Sequence, residues 1–179
     1  MAIGIVSDNR EEFVKGRVIE LPPPSPAHAR LIDRLSTTLW EQFGDVRRTW
    51  AILTTAYALG VERGYNACRN PDLAVFRRDA LKQAYVEGNN LFAEPLLIAE
   101  CLSPRDRKGP LTDLLEDYHR MGAKEVWIID PHARRVMRHL ATDERPDLLT
   151  PISSPLRAIE LPQVSVDINE LWRAFDGEW

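Results

Sequence analysis

From Ala27 onward the apolar positions recur at helical spacing. Ala27, Leu31, Leu35, Leu39 and Phe43 fall four residues apart, and Ile32 and Trp40 widen the stripe. This pattern predicts an amphipathic helix. Ser25-Pro26 opens it, an N-cap followed by proline at the first helical position, and Gly44 closes it. Before it, Leu21-Pro22-Pro23-Pro24 forces an extended path. Further upstream, Phe13–Glu20 holds a Lys15-Gly16 turn between two short extended pieces, which predicts a small hairpin.

Beyond the first helix the period shortens. Trp50–Leu59, Asp72–Phe76 and Leu96–Leu102 are short apolar runs rich in strand-forming residues and bounded by Pro, Asn or Ser. A second helix is predicted after the basic loop Ser103–Pro110. Asp113 with Glu116 resembles a capping box there, Leu111, Leu115, Tyr118 and Met121 share a face, and Gly122 supplies the stop. Glu125–Asp130 reads as a buried strand turning through Pro131–Arg134 into a partner, Arg135–Leu140. Ser153–Ser165 is expected to hold one or two edge strands, and Asn169–Phe175 a short closing helix. The order indicates an α+β (mixed α/β) fold, a central and partly antiparallel sheet with helices packed on it. Neither GxGxxG nor GxxxxGK[ST] is present.

Length and composition narrow this picture. One hundred and seventy-nine residues suit a single domain over 1–179, with an extended N-terminal segment of about 25 residues. With 44% apolar and 28% charged residues the chain reads as globular. Cys68 and Cys101 form no CxxC pair and read as buried, reduced thiols. The N-terminus has no basic n-region or long apolar h-region, and no apolar run approaches the ~20 residues of a membrane span. A soluble, cytoplasmic protein without membrane association is expected. The net charge of −4 argues against a general nucleic-acid coat protein but not against a nuclease with a locally basic groove.

Chemistry is suggested first by Glu100, a carboxylate inside the strand Leu-Leu-Ile-Ala-Glu-Cys-Leu, where burial is costly without a partner or a metal. Two-residue alternation puts it on one face with Leu96, Ile98 and Leu102. Asp72 opens a preceding strand directly after Pro71. If the two strands are neighbours, both acids converge at one end of the sheet, where Mg2+ would find oxygen ligands and room for water and phosphate. A turn-capping Asp72 and a Glu100 paired with arginine satisfy the same spacing, which leaves both readings open.

Three segments carry a resemblance to a known family. They are Asn70-Pro71-Asp72-Leu73-Ala74-Val75-Phe76, then Glu100-Cys101-Leu102-Ser103-Pro104-Arg105-Asp106-Arg107, then Tyr118-x-x-x-Gly122-x-x-x-Val126-Trp127-Ile128-Ile129-Asp130-Pro131. Together with Pro22-Pro23-Pro24-Ser25-Pro26-x-His28 and Ile159-Glu160-Leu161-Pro162, they resemble the Uma-two family of endonucleases in the PD-(D/E)XK superfamily, over Phe13 to Phe175. The resemblance implies a restriction-endonuclease-like core, a mixed and mostly antiparallel sheet flanked by helices. It implies Asp72 and Glu100 as metal-binding acids, Mg2+ or Mn2+ as the ion, DNA as substrate, and a homodimer.

The departures bear on activity. The superfamily places a lysine two residues beyond the glutamate, where this chain has Leu102. Many relatives supply a base four residues before the tyrosine, where this chain has Leu114. Relatives often read Asp-Gly-Glu at the first turn, and this chain reads Lys15-Gly16-Arg17. The missing lysine would stabilise developing negative charge. Lys108, Arg107 or Arg105 could take over that role and contact backbone phosphate, with Lys108 the candidate catalytic base and His28 a further phosphate contact. The expected function is therefore a metal-dependent DNA endonuclease, weakened by the lost lysine. The alternative is an inactive relative serving as a DNA-binding, dimerisation or regulatory module. Glu20 is read as solvated, Trp127 as core, and His119, His132 and His139 as surface or half-buried.

Overall fold

A computed structural model describes residues 11–44, 49–54, 58–62, 65–87, 90–103, 110–142 and 150–178. β1 (Glu11–Val14) and β2 (Arg17–Glu20) form the expected hairpin. Lys15 and Gly16 both take positive φ, 48° and 81°, the two-residue turn whose twist suits a hairpin. α1 (Pro26–Phe43) begins where Ser25 accepts a hydrogen bond from the His28 amide at 3.2 Å. There follow β3 (Trp50–Thr54), β4 (Ala58–Glu62), β5 (Tyr65–Arg69), β6 (Leu73–Arg77), α2 (Arg78–Lys82), β7 (Tyr85–Glu87), β8 (Asn90–Phe92) and β9 (Leu97–Cys101). α3 (Leu111–Arg120), β10 (Glu125–Asp130), β11 (Arg135–Leu140), β12 (Thr150–Ile152) and α4 (Ile168–Asp176) complete the order.

The strands divide between two sheets rather than one. A core sheet runs β12-β11-β10-β9-β6-β3, and a second sheet runs β2-β1-β5-β4-β8-β7. In the core sheet every pairing is antiparallel except β9 with β10. Alternation along β9 sorts its side chains to two apolar layers. Leu97, Ala99 and Cys101 meet α1 and α4, whereas Ile98 joins Leu114, Leu115 and Tyr118 of α3 and Leu59, Val61 and Ala67 of the second sheet. α4 is tied to α1 through Arg30, whose Nε and Nη2 donate to the carbonyls of Ala174 and Phe175 at 3.0 and 3.1 Å. The Phe175 bond satisfies a carbonyl at the helix end, and the Ala174 carbonyl also accepts from the Gly177 amide at 3.2 Å.

Local details depart from the pattern. α3 starts two residues before Asp113, with Pro110 at its N-cap and no side-chain cap; Asp113 is instead paired with Lys15. The edge strand β12 precedes Ser153, and only the Leu156–Val166 bridge lies in the expected stretch. His139 is buried, because β11 is covered at that position, while His119 and His132 are exposed. Trp127 is core and Glu20 is exposed, as read. Both cysteines are buried and unbridged. No helix among the described residues is long and apolar enough to cross a membrane.

Candidate functional site

Asp72 and Glu100 are held on neighbouring strands. β6 and β9 pair antiparallel with Leu73 opposite Ala99, so continuing the register by one residue sets Asp72 opposite Glu100. Each is 1% exposed. Pro71 delivers the chain into β6, and Asp72 Oδ2 accepts from the Cys101 amide at 2.9 Å, bridging the two strands at this end of the sheet. Its Oδ1 lies 3.1 Å from His28 Nε2. The third residue of α1 therefore faces the acid rather than only the proline segment. Glu100 accepts a hydrogen bond from the Tyr118 hydroxyl of α3. Burial first, and then the charges of Glu100 and Glu12, push the Tyr118 phenol well above its ordinary value. Tyr118 thus remains a donor at any neutral pH.

A buried ion network surrounds these acids. Arg69, the last residue of β5, is 0% exposed. Its Nη1 donates to Glu12 Oε2 of β1 at 2.9 Å, and its Nε to Asp117 Oδ2 of α3 at 2.7 Å. The other Glu12 oxygen accepts from the Asn70 amide at 3.0 Å, and the Asn70 side chain donates to the Glu11 carbonyl at 2.6 Å. Burial works against the Arg69 charge, but Glu12 and Asp117 outweigh it and hold its pKa above the ordinary value. The network joins the hairpin, the Arg69–Asp72 connection and the helix turn that carries Tyr118. Pattern reading missed Glu12, Arg69 and Asp117. The available signal was an arginine just before Asn-Pro-Asp, a residue that rarely enters a core without acids to meet it.

The positions of the absent lysine are apolar in contact as well as in name. Leu114 is buried between α3 and the sheets, and Leu102 packs against the same layer. Arg105, Arg107 and Lys108 lie outside the described residues, as do Arg47 and Arg48. Three other clustered arginines are held by carboxylates. Arg77 binds Asp79, Arg135 faces Asp130, and Arg134 binds Asp176 while stacking over Trp172 and Phe175.

Among the described residues no group of three His, Cys, Asp or Glu side chains is arranged to hold a metal ion. The donor chemistry of Asp72 and Glu100 nevertheless suits Mg2+, which takes one or two carboxylates and fills its remaining positions with water and phosphate oxygens.

Comparison with known proteins agrees with the geometry. The Uma2 family model, described as "Putative restriction endonuclease", matches residues 5–168. A solved structure from Anabaena variabilis ATCC 29413, described as a "putative nuclease belonging to DUF820", is similar with a TM-score of 0.75 and 16% identity. The match covers 94% of this chain and 93% of that one, so the α+β core is of the restriction-endonuclease-like kind. No curated protein matches this chain.

Proposed function

The chain belongs to the Uma2 family, and from that premise we propose that it is a metal-dependent endonuclease hydrolysing phosphodiester bonds in DNA, working as a homodimer on duplex substrate. The observation that carries this reading is the pair of buried carboxylates, Asp72 and Glu100, opposite one another on paired strands. Asp72 and Glu100 would hold Mg2+ or Mn2+. When bound, such an ion lowers the pKa of a water and stabilises charge on the phosphate. The chain's own residues do the rest. The Cys101 amide orients Asp72, His28 borders its second oxygen, and the Tyr118 hydroxyl orients Glu100. Arg105, Arg107 and Lys108 would face phosphate from the loop before α3.

A second reading, an inactive relative that binds DNA or regulates a partner, is favoured by the burial of Leu114 in the apolar layer, with the half-buried Leu102 packed against it. A supercoiled-plasmid assay with Mg2+ or Mn2+ separates the two. Nicking by the wild type, reduced at least a hundredfold in Asp72→Ala and Glu100→Ala, supports the enzyme. Equal residual nicking in all three proteins supports the inactive relative.

A further inference from the structure

His28 carries an unanswered polar atom. α1 holds the residue firmly: Pro26 fixes the entry, the Ser25 hydroxyl accepts the His28 amide, and Leu31 and Ile32, one turn on, are buried in the core. Residues three and four apart share a helix face, so the imidazole heads the stripe that packs on the core sheet. Its side chain is 10% exposed. Nε2 lies 3.1 Å from Asp72 Oδ1, yet it has no hydrogen-bond partner. A separation that short without a hydrogen bond means that the ring nitrogen is not aimed along the line to the oxygen.

Buried polar atoms left unpaired cost stability, and a bound ion or water is a common answer to them. A nitrogen turned aside from a carboxylate oxygen at this distance is the arrangement of two donors flanking a third atom. Around an octahedral ion about 2.1 Å from each donor, adjacent donors stand about 3.0 Å apart. The observed 3.1 Å fits that spacing. The other Asp72 oxygen accepts from the Cys101 amide at 2.9 Å, which leaves Oδ1 as the oxygen facing His28. A structural hydrogen bond between the two side chains would account for the distance, but Nε2 makes none.

We propose that His28 is a nitrogen ligand of the divalent ion, binding through Nε2 beside Asp72 Oδ1, and that it turns the site's preference from Mg2+ toward the later first-row ions. The presence of an ion rests on the nuclease reading above. Mg2+ favours oxygen ligands and keeps its waters, whereas imidazole suits the later ions of the series. This assigns His28 to the ion rather than to phosphate. No group of three such donors is preassembled among the described residues. The remaining positions therefore fall to water, to phosphate and to Glu100 from the paired strand.

The test adds Mn2+, Co2+ or Mg2+ alone to the full chain, without DNA. Electron spin echo envelope modulation of the Mn2+ complex should show coupling to a bound imidazole nitrogen, and His28→Gln should abolish it. In calorimetry Co2+ should bind the wild type at least about tenfold more tightly than Mg2+. His28→Gln should lose about tenfold in Co2+ affinity and less than about twofold in Mg2+ affinity. The wild-type spectrum decides the point even where His28→Gln fails to fold. Mn2+ bound by the wild type without nitrogen coupling, or equal Co2+ affinities in wild type and a folded His28→Gln, overturns the proposal and leaves the nuclease reading standing. A wild type that binds none of the three ions overturns both. Nitrogen coupling in a wild type that never nicks plasmid overturns the nuclease reading alone.

Discussion

A phenolic hydrogen from α3 holds one of the two acids. Tyr118 donates to Glu100 with both side chains buried, and its pKa is raised well above the ordinary value, first by burial. An acid whose folded pKa is raised favours folding while it is protonated. Its contribution is complete below the unfolded value of about 10 and is lost as pH climbs from there toward the folded value. At pH 7 Tyr118→Phe should be less stable than wild type by about 1–3 kcal/mol, since Glu100 loses a buried donor. That difference should shrink in urea unfolding above pH 10, where only the wild type carries the phenol; a constant difference from pH 7 to 10.5 would contradict the assignment. At this scale the acids were legible because a carboxylate in an apolar strand breaks the pattern. Their partners were not, because Arg69 and Tyr118 reach Glu12 and Glu100 across 57 and 18 residues of sequence.

Elements were legible where one stripe meets one core. α1, β10 and β11 follow from period and punctuation, and each lies within a residue of its expected bounds. The short strands β7 and β8 and the helix α2 carry too few residues for any period to show. The second sheet depends on close approach between strands. Gly60 of β4 lies against β8, and a Cβ there would fall 2.2 Å from the Phe92 ring. Gly60→Ala should therefore cost about 1–3 kcal/mol in chemical denaturation. Adding Phe92→Leu should recover much of that loss in a double-mutant cycle, whereas strict additivity would show that the ring is not the obstacle.

On the scale of the whole molecule, the site needs both sheets. The core sheet holds Asp72 and Glu100, while β1 and β5 of the second sheet contribute Glu12 and Arg69, which reach α3 through Asp117. We propose that residues 1–179 form one domain and unfold in one step. Tryptophan fluorescence reports the layer around α1 and α4, where Trp40, Trp50, Trp127 and Trp172 gather. Far-UV circular dichroism reports both sheets. The two should give coincident urea transitions. A separate early loss of strand signal would instead mark the second sheet as an independent unit.

By itself the sequence determined what local chemistry can encode. Helical and strand periods, the proline entry, the hairpin turn and two acids in unusual strand positions all follow from neighbours a few residues apart. The net charge of −4 belongs here too, since charge is a sum that ignores folding. Tertiary structure decided the rest, because pairing between distant segments leaves no local period. It placed β6 beside β9 so that Asp72 and Glu100 oppose each other, and it divided the strands between two sheets. It also buried an arginine between acids from β1 and α3, and carried Lys15 to the helix turn beside a leucine.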